Sequence, residues 1–238
     1  RWLLSRGLPR SFVTVNGEWD AQPAWVRRFE NPSLETGDLV EGARAARDKE
    51  LGSPIELVFV GRVETPKGAG RAIEILGELG ERGIDARLTL IGDGAERTSF
   101  EHRAASLGLT ARVDFRGWQR PLDVQRAFAR AHIQLLPTEA SEGWPKVLSE
   151  GMAYGVVPLA GAISSIPYYL TRIGTGRSLP PRDIRAFADA VNEYVRAPDV
   201  WAAESRRAVE AARWFSFDHY LESVDQLLAD LGVSAGAR

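Results

Sequence analysis

Four charged side chains stand at spacings that could do chemistry. Arg62 and Lys67 lie five positions apart in GRVETPKGAG (61–70). Glu142 and Glu150 lie eight apart in SEGWPKVLSEGMAYG (141–155). Two cations beside the free amides of a helix start make an anion site, because unpaired N–H groups and the helix dipole both favour negative charge. Two carboxylates can accept hydrogen bonds from vicinal hydroxyls. Each stretch also has a plainer account. Arg62 and Lys67 can be solvated cations on a turn. Lys146 and Glu150 are four apart, and such a helical pair contributes only about 0.2–0.5 kcal/mol. Glu142 can be a favourable charge at a helix N-terminus, with Pro145 in the first turn and Gly143 or Trp144 near the cap. In GDGAER (92–97), Gly92 and Gly94 permit a tight turn that a ligand can approach, and Asp93 can bind a ligand or cap the next helix. Trp118, in RGW, can stack on a ring or pack in the core.

The elements that must carry these residues alternate. From Glu56 onward, apolar runs LVFVG (57–61), RLTLIG (87–92), VDFRG (113–117), IQLLPT (133–138) and VVPLAG (156–161) read as strands. Between them GRAIEILGELGERG, ERTSFEHRAASLG, LDVQRAFARA and PKVLSEGMAYG read as helices, and RDIRAFADAVNEYVRAPD is a further helix ending at Pro198. This alternation predicts a doubly wound, Rossmann-like parallel sheet with helices on both faces. Ligands bind such sheets beyond the carboxyl ends of the strands, where the loops above fall. Residues 1–50 offer one strand candidate, Phe12–Val15, and a short helix, and are expected to be an extension or remnant of an interdomain segment. The Rossmann-like domain is expected over 51–214, and a C-terminal helix and tail over 215–238, with Tyr220, Val224, Leu227 and Leu228 on one helix face.

Composition removes several classes. A chain of 238 residues with a net charge of −2 does not call for nucleic acid as a partner. It has no cysteine, so disulfides and thiolate zinc sites are excluded. No apolar run approaches the roughly 20 residues that span a bilayer. His102, His132 and His219 have no ligand-like spacing, and there is no Asp-x-Asp triplet, so no metal site is expected. GAGRAI resembles only part of a dinucleotide fingerprint, which ranks a NAD-dependent oxidoreductase low.

Taken together and in order, LVFVGRVETPKG, LTLIGDG, VDFRGW, the E-x7-E segment EGWPKVLSEGMAYG and GRSLPPRDIRAFADAV resemble the C-terminal, donor-binding half of retaining GT-B glycosyltransferases of the family 4 type (glycosyl transferases group 1). The resemblance covers about residues 55–230, and the E-x7-E segment is its most specific part. It implies that Arg62 and Lys67 hold the donor diphosphate and that Glu142 grips sugar hydroxyls, these three forming the catalytic set. It implies that the amides of Gly143 and Trp144 face sugar and phosphate, that Glu150 binds the ribose and that Val147 walls the nucleoside. Gly61, Gly92, Gly94 and Trp118 complete the nucleotide-sugar-binding set, the last three bordering the base. The implied activity is sugar transfer from a nucleotide diphosphate sugar to an acceptor with retention, of the hexosyltransferase type, with no cofactor or metal. The alternative is a non-catalytic nucleotide-sugar-binding module or the partner subunit of a two-chain transferase.

Departures from the family pattern are specific. Gly151 stands where the segment usually has alanine, and its proline falls one place late, at Pro158. The following loop, usually Gly-Gly-x-Pro-Glu, reads Ser164-Ser165-Ile166-Pro167-Tyr168. The acceptor-binding half is expected to be missing, because residues 1–50 are too short to build it. An N-terminal acceptor domain or partner chain is then expected to dock on the C-terminal helix. The implied location is cytoplasmic, or peripheral at the inner membrane face.

Overall fold

The computed structural model describes residues 12–232. Residues 12–46 form a parallel pair of short strands, β1 (Val13–Val15) and β2 (Val26–Arg28), and a helix, α1 (Thr36–Ala46). The main sheet holds β3 (Ile55–Val60), β4 (Ala86–Ile91), β5 (Val113–Gly117), β6 (Ile133–Leu136), β7 (Val157–Gly161) and β8 (Arg177–Leu179). It is parallel throughout, in the order β5-β4-β3-β6-β7-β8. The helices between and after these strands are α2 (Ala69–Glu81), α3 (Arg97–Ser106), α4 (Pro121–Arg130), α5 (Lys146–Ala153), α6 (Ile166–Ile173), α7 (Ile184–Arg196), α8 (Pro198–Ala212) and α9 (Phe217–Asp230).

The chain moves outward from β3 to β5, returns to the centre at β6, then moves outward the other way. Right-handed crossovers therefore put α2 and α3 on one face, and α4, α5 and α6 on the other. α7 packs on α2, and α8 packs on α1 and α5. The topological switch lies between β3 and β6. Central strands are apolar on both sides: every residue of β6 and β7 is buried. β4 alternates instead, with Arg87 exposed and Leu88 and Leu90 buried, so only one of its faces lies in the core.

The doubly wound sheet is as expected, with local differences. The strand over 133–138 stops at Leu136, because Pro137 cannot donate to a ladder. The segment 164–168 is not all loop: α6 begins at Ile166, with Pro167 in its first turn. β2 and β8 have three residues each, too short to show a period.

The departure at Gly151 has a packing cause. A Cβ there would lie 2.4 Å from Gln134 Oε1 and 3.3 Å from Phe128. Gln134 is fully buried in β6 and donates to the Val147 carbonyl (3.1 Å), so the polar side chain occupies the room a methyl group would need. Gly151→Ala is expected to cost about 1–3 kcal/mol by urea denaturation. In a Gln134→Ala background the cost should shrink by about 0.5 kcal/mol or more; simple additivity would contradict the clash.

Lys49 clamps the same layer. Its ammonium donates to the carbonyls of Phe128 (2.9 Å), Ala131 (2.9 Å) and Tyr154 (2.6 Å), which end α4 and α5. Those carbonyls have no partner within their own helices. Burial pulls the Lys49 amine down to about 7.

Candidate functional site

The loops after β3 and β6 meet at the switch point and are stitched together by backbone groups. Glu139 N–H donates to the Pro66 carbonyl (2.8 Å), and Arg71 Nε donates to the Pro137 carbonyl (2.8 Å). Gly68, at φ +90°, is the cap of α2, and a Cβ on it would lie 2.4 Å from the Pro137 oxygen. Glycine is required there by the close approach of the two loops as well as by the left-handed backbone.

This approach brings Lys67 and Glu142 together. They are 75 positions apart in the chain and form an ion pair. Lys67 is only 8% exposed, held beneath the loop, whereas Glu142 is exposed. Arg62, whose side chain is 65% exposed, stands nearby in sequence and pairs with Glu64 at 3.1 Å. Both α2 and α5 start without a side-chain cap, and among the described residues no side chain accepts from their first amides. Two cations and two helix starts thus lie on the loops that flank the switch, an arrangement suited to a diphosphate.

A cavity of about 460 Å³ lies beside this pair of loops. Val60, Trp118, Gln119, Val124, Phe128 and Glu150 line it from the main domain, and Ser33, Leu34 and Asp38 close it from the N-terminal segment. Trp118 is 73% exposed, so it is a rim residue and not core packing. Glu150 makes no hydrogen bond or close ion pair among the described residues. Burial pushes its carboxyl above the usual range, against a smaller downward pull from Lys146. The helical pair between Lys146 and Glu150, the plainer account of this stretch, is not formed as a direct contact among the described residues.

Other residues of the expected set make contacts of their own. Pro145 is itself the N-cap of α5 and not part of its first turn, with Gly143 and Trp144 just before it as expected. Trp144 is 1% exposed; its ring stacks on Phe215 at 5.0 Å and its indole N–H donates to Ser149 (3.1 Å). Its side chain belongs to the core, which leaves only its backbone for a ligand. Val147 does not line the cavity; its carbonyl accepts from Gln134. Gly61, Gly92 and Gly94 do not line it either. A Cβ on Gly92 would lie 1.9 Å from the Gly61 oxygen, and one on Gly94 2.5 Å from the Val63 oxygen. These glycines let the loops after β3 and β4 touch. Asp93 accepts from the N–H of Gly94 (2.8 Å), and Glu96 is the cap of α3, so Asp93 is not the cap.

The N-terminal segment contributes residues that carry no periodic signal in the sequence. Asn16, part of an Asn-Gly turn pair, packs against Gly143, whose Cβ would lie 3.5 Å from Asn16 Nδ2. Among the described residues Asn16 Oδ1 is buried without a partner, as is Ser165 Oγ close by, across Gly17. Ser164 keeps a left-handed backbone (φ +53°) although it is not glycine, and its hydroxyl meets that of Ser141 at 2.8 Å. Tyr168, in place of the usual acid, accepts from Arg28 (2.9 Å) and Arg172 (2.8 Å) and donates to Glu18 (2.9 Å).

The cavity roof is tied to the C-terminal junction. Leu34 bridges Ser216, and the amides of Ser33 and Leu34 donate to the Phe215 carbonyl at 2.9 and 3.2 Å. α9 has no buried residue. Tyr220, Val224, Leu227 and Leu228 are half-buried, Tyr220 edge-on to Phe29 at 5.3 Å, while Phe217 and Leu221 are exposed.

No group of three or more His, Asp or Glu residues suited to a metal occurs among the described residues. His132 is buried, and its Nδ1 accepts from the Glu56 N–H (3.0 Å), so the ring is neutral. Burial, and then the Lys49 charge, pull it down to about 4. No helix among the described residues is long and apolar enough to cross a membrane.

Comparison with known proteins agrees with this architecture. The family model described as "Glycosyl transferases group 1" matches residues 44–214. A D-inositol 3-phosphate glycosyltransferase of Mycolicibacterium paratuberculosis is 29% identical over 204 residues, covering 84% of this chain and 45% of its own. The chain spans about half, or less, of the length of the curated relatives it matches. Anabaena Alr3699/HepE, solved with UDP and glucose, superposes with a TM-score of 0.69 at 17% identity, covering 92% of this chain and 63% of that one. The C-terminal domain of a glycosyl transferase group 1 protein, LpcC of Francisella tularensis, superposes with a TM-score of 0.62 at 15% identity, covering 79% and 96%. At these identities the superpositions bear on fold alone.

Proposed function

Since the chain belongs to the glycosyl transferases group 1 family, we propose that it is the donor-binding half of a retaining, family 4 type GT-B transferase. The whole protein would move a hexose from a nucleotide diphosphate sugar to an acceptor, with no metal or other cofactor. The observation that carries this is the meeting of Lys67 and Glu142 across the topological switch, beside two uncapped helix starts.

In this reading the diphosphate sits between Arg62, Lys67 and the first amides of α2 and α5. Negative charge grows on the diphosphate as the anomeric bond breaks. Fixed cations and amides there stabilise the departing group more than the bound substrate. One preorganised donor of this kind is typically worth about 2.7–4 kcal/mol. Glu142 would exchange Lys67 for sugar hydroxyls, and Asn16, whose Oδ1 is unpartnered among the described residues, packs against the neighbouring Gly143. The nucleoside would fill the 460 Å³ cavity, with its ribose on Glu150 and its base against Trp118.

The acceptor site is assigned to a domain or partner chain outside these residues. Exposed Phe217 and Leu221 on α9 support docking of that unit there, and equally support the alternative of a binding module serving a separate catalytic chain. A cytoplasmic location is part of the same proposal.

Calorimetry of this chain with UDP, GDP and ADP tests the donor site. At least one should bind, with UDP the first to try because the Anabaena neighbour was solved with it. EDTA should leave the affinity unchanged. A folded protein that binds none of the three sinks the proposal.

A further inference from the structure

On one face of the sheet, β4 and β5 carry no helix among the described residues. α4 crosses from β5 back to β6 and packs over β3, so its layer does not reach the outer strands. β4 and β5 turn Leu88, Leu90 and Val113 into the core, and the alternate residues Arg87, Thr89, Asp114 and Arg116 face the other way. With Glu56 of β3 and Arg130 of α4 they line a cavity of about 550 Å³. The helix wall is made of Ala127 and Ala131, whose small side chains leave the space open.

The charges in this cavity are unequally satisfied. It holds four arginines, Arg87, Arg112, Arg116 and Arg130, against two acids, Glu56 and Asp114. Arg112 donates to the carbonyls of Ala86 and Ile84, both at 3.0 Å, and Arg116 pairs with Asp114 at 2.7 Å. Arg87, Arg130 and the Glu56 carboxylate make no hydrogen bond or ion pair among the described residues. Glu56 nevertheless lies within the electrostatic reach of Arg87, Arg130 and Arg116. Two unpaired guanidiniums offer planar forks that match phosphate oxygens, and an unpaired carboxylate can only accept. The space is larger than a phosphate ion needs.

We propose that this cavity binds the phosphate ester of a small polyhydroxy compound, with the phosphate between Arg87 and Arg130 and a hydroxyl donating to Glu56. It lies toward the amino ends of β3, β4 and β5, away from the donor site at their carboxyl ends. The two sites stand or fall separately.

Calorimetry with ribose 5-phosphate, inorganic phosphate and ribose decides it. Ribose 5-phosphate should bind more tightly than inorganic phosphate, ribose should not bind, and saturating UDP should not displace the ester. Arg87→Ala and Arg130→Ala should each weaken both phosphate ligands by about tenfold or more, the scale of a hydrogen bond to a charged group. Glu56→Gln should remove the advantage of the ester while inorganic phosphate binds at least as well. Failure of ribose 5-phosphate to bind, competition by UDP, or unchanged affinity in the Arg87→Ala/Arg130→Ala double variant would overturn the proposal. Both arginines are exposed and unpartnered, so circular dichroism should show the variants folded. Ester binding without any nucleotide binding would keep this site and remove the donor reading.

Discussion

Lys67→Ala should lower the affinity of the chain for UDP by about 10- to 100-fold while leaving uridine unchanged. A hydrogen bond to a charged group is worth about 1.5–3 kcal/mol, which converts to that range. The split follows from position. Lys67 sits under the loop after β3, at the start of α2, and does not line the cavity assigned to the nucleoside. Arg62→Ala should act in the same direction but less, because its side chain is 65% exposed and must be ordered on binding. Glu142→Gln should act the other way on UDP. It frees Lys67 from its counter-ion, so UDP should bind as well or better, while a UDP-sugar loses the carboxylate that accepts from its hydroxyls. The ratio of UDP-sugar to UDP affinity is then the informative quantity. Parallel losses of UDP and uridine in Lys67→Ala, or equal losses of UDP and UDP-sugar in Glu142→Gln, would contradict the assignment of these roles.

Trp144→Ala should destabilise the fold by about 3–5 kcal/mol, measured by guanidinium denaturation, the usual cost of removing a buried aromatic side chain. That is a large share of the roughly 5–15 kcal/mol that keeps a domain folded. The indole packs in a three-ring cluster with Phe215 and Tyr169, each with its ring centroid 5.0 Å away and the two 5.5 Å from one another. Its N–H is satisfied by Ser149, itself fully buried. Trp144→Phe should keep most of the packing and lose mainly the hydrogen bond, about 1 kcal/mol. Because Trp144 adjoins Gly143 and Glu142, the alanine variant should also loosen the loop that presents Glu142. A loss below about 1 kcal/mol in Trp144→Ala would show that the aromatic cluster does not anchor this loop.

The parallel sheet was legible because its strands are short, apolar and separated by amphipathic helices, and period alone distinguishes the two. The elements that period does not reveal are the ones tertiary contacts maintain. β2 has only three residues and exists by pairing with β1, the strand already legible at Phe12–Val15. α6 has eight residues and buries Ile166, Tyr169, Leu170 and Ile173. Glycines were legible as turns but not as to purpose. Gly92 and Gly94 suggest a ligand loop, whereas their missing side chains admit neighbouring backbone. Trp118 and Trp144 are the same residue type in similar glycine-flanked loops, yet one lies on a cavity rim and the other in the core. Nothing local separates them, since burial depends on what the rest of the chain brings near.

By itself the sequence determined that a doubly wound sheet would place Arg62, Lys67, Glu142 and Trp118 on loops at strand carboxyl ends, because those positions follow from chain order and strand direction. Tertiary structure alone decided that Lys67 is buried and paired with Glu142, that Glu150 faces a cavity without a partner, and that Ser33, Leu34 and Asp38 close that cavity. The physical reason is range. Periodicity and turn chemistry act over a few residues, whereas the pairing of side chains 75 positions apart depends on which strands become neighbours and how closely their loops can approach.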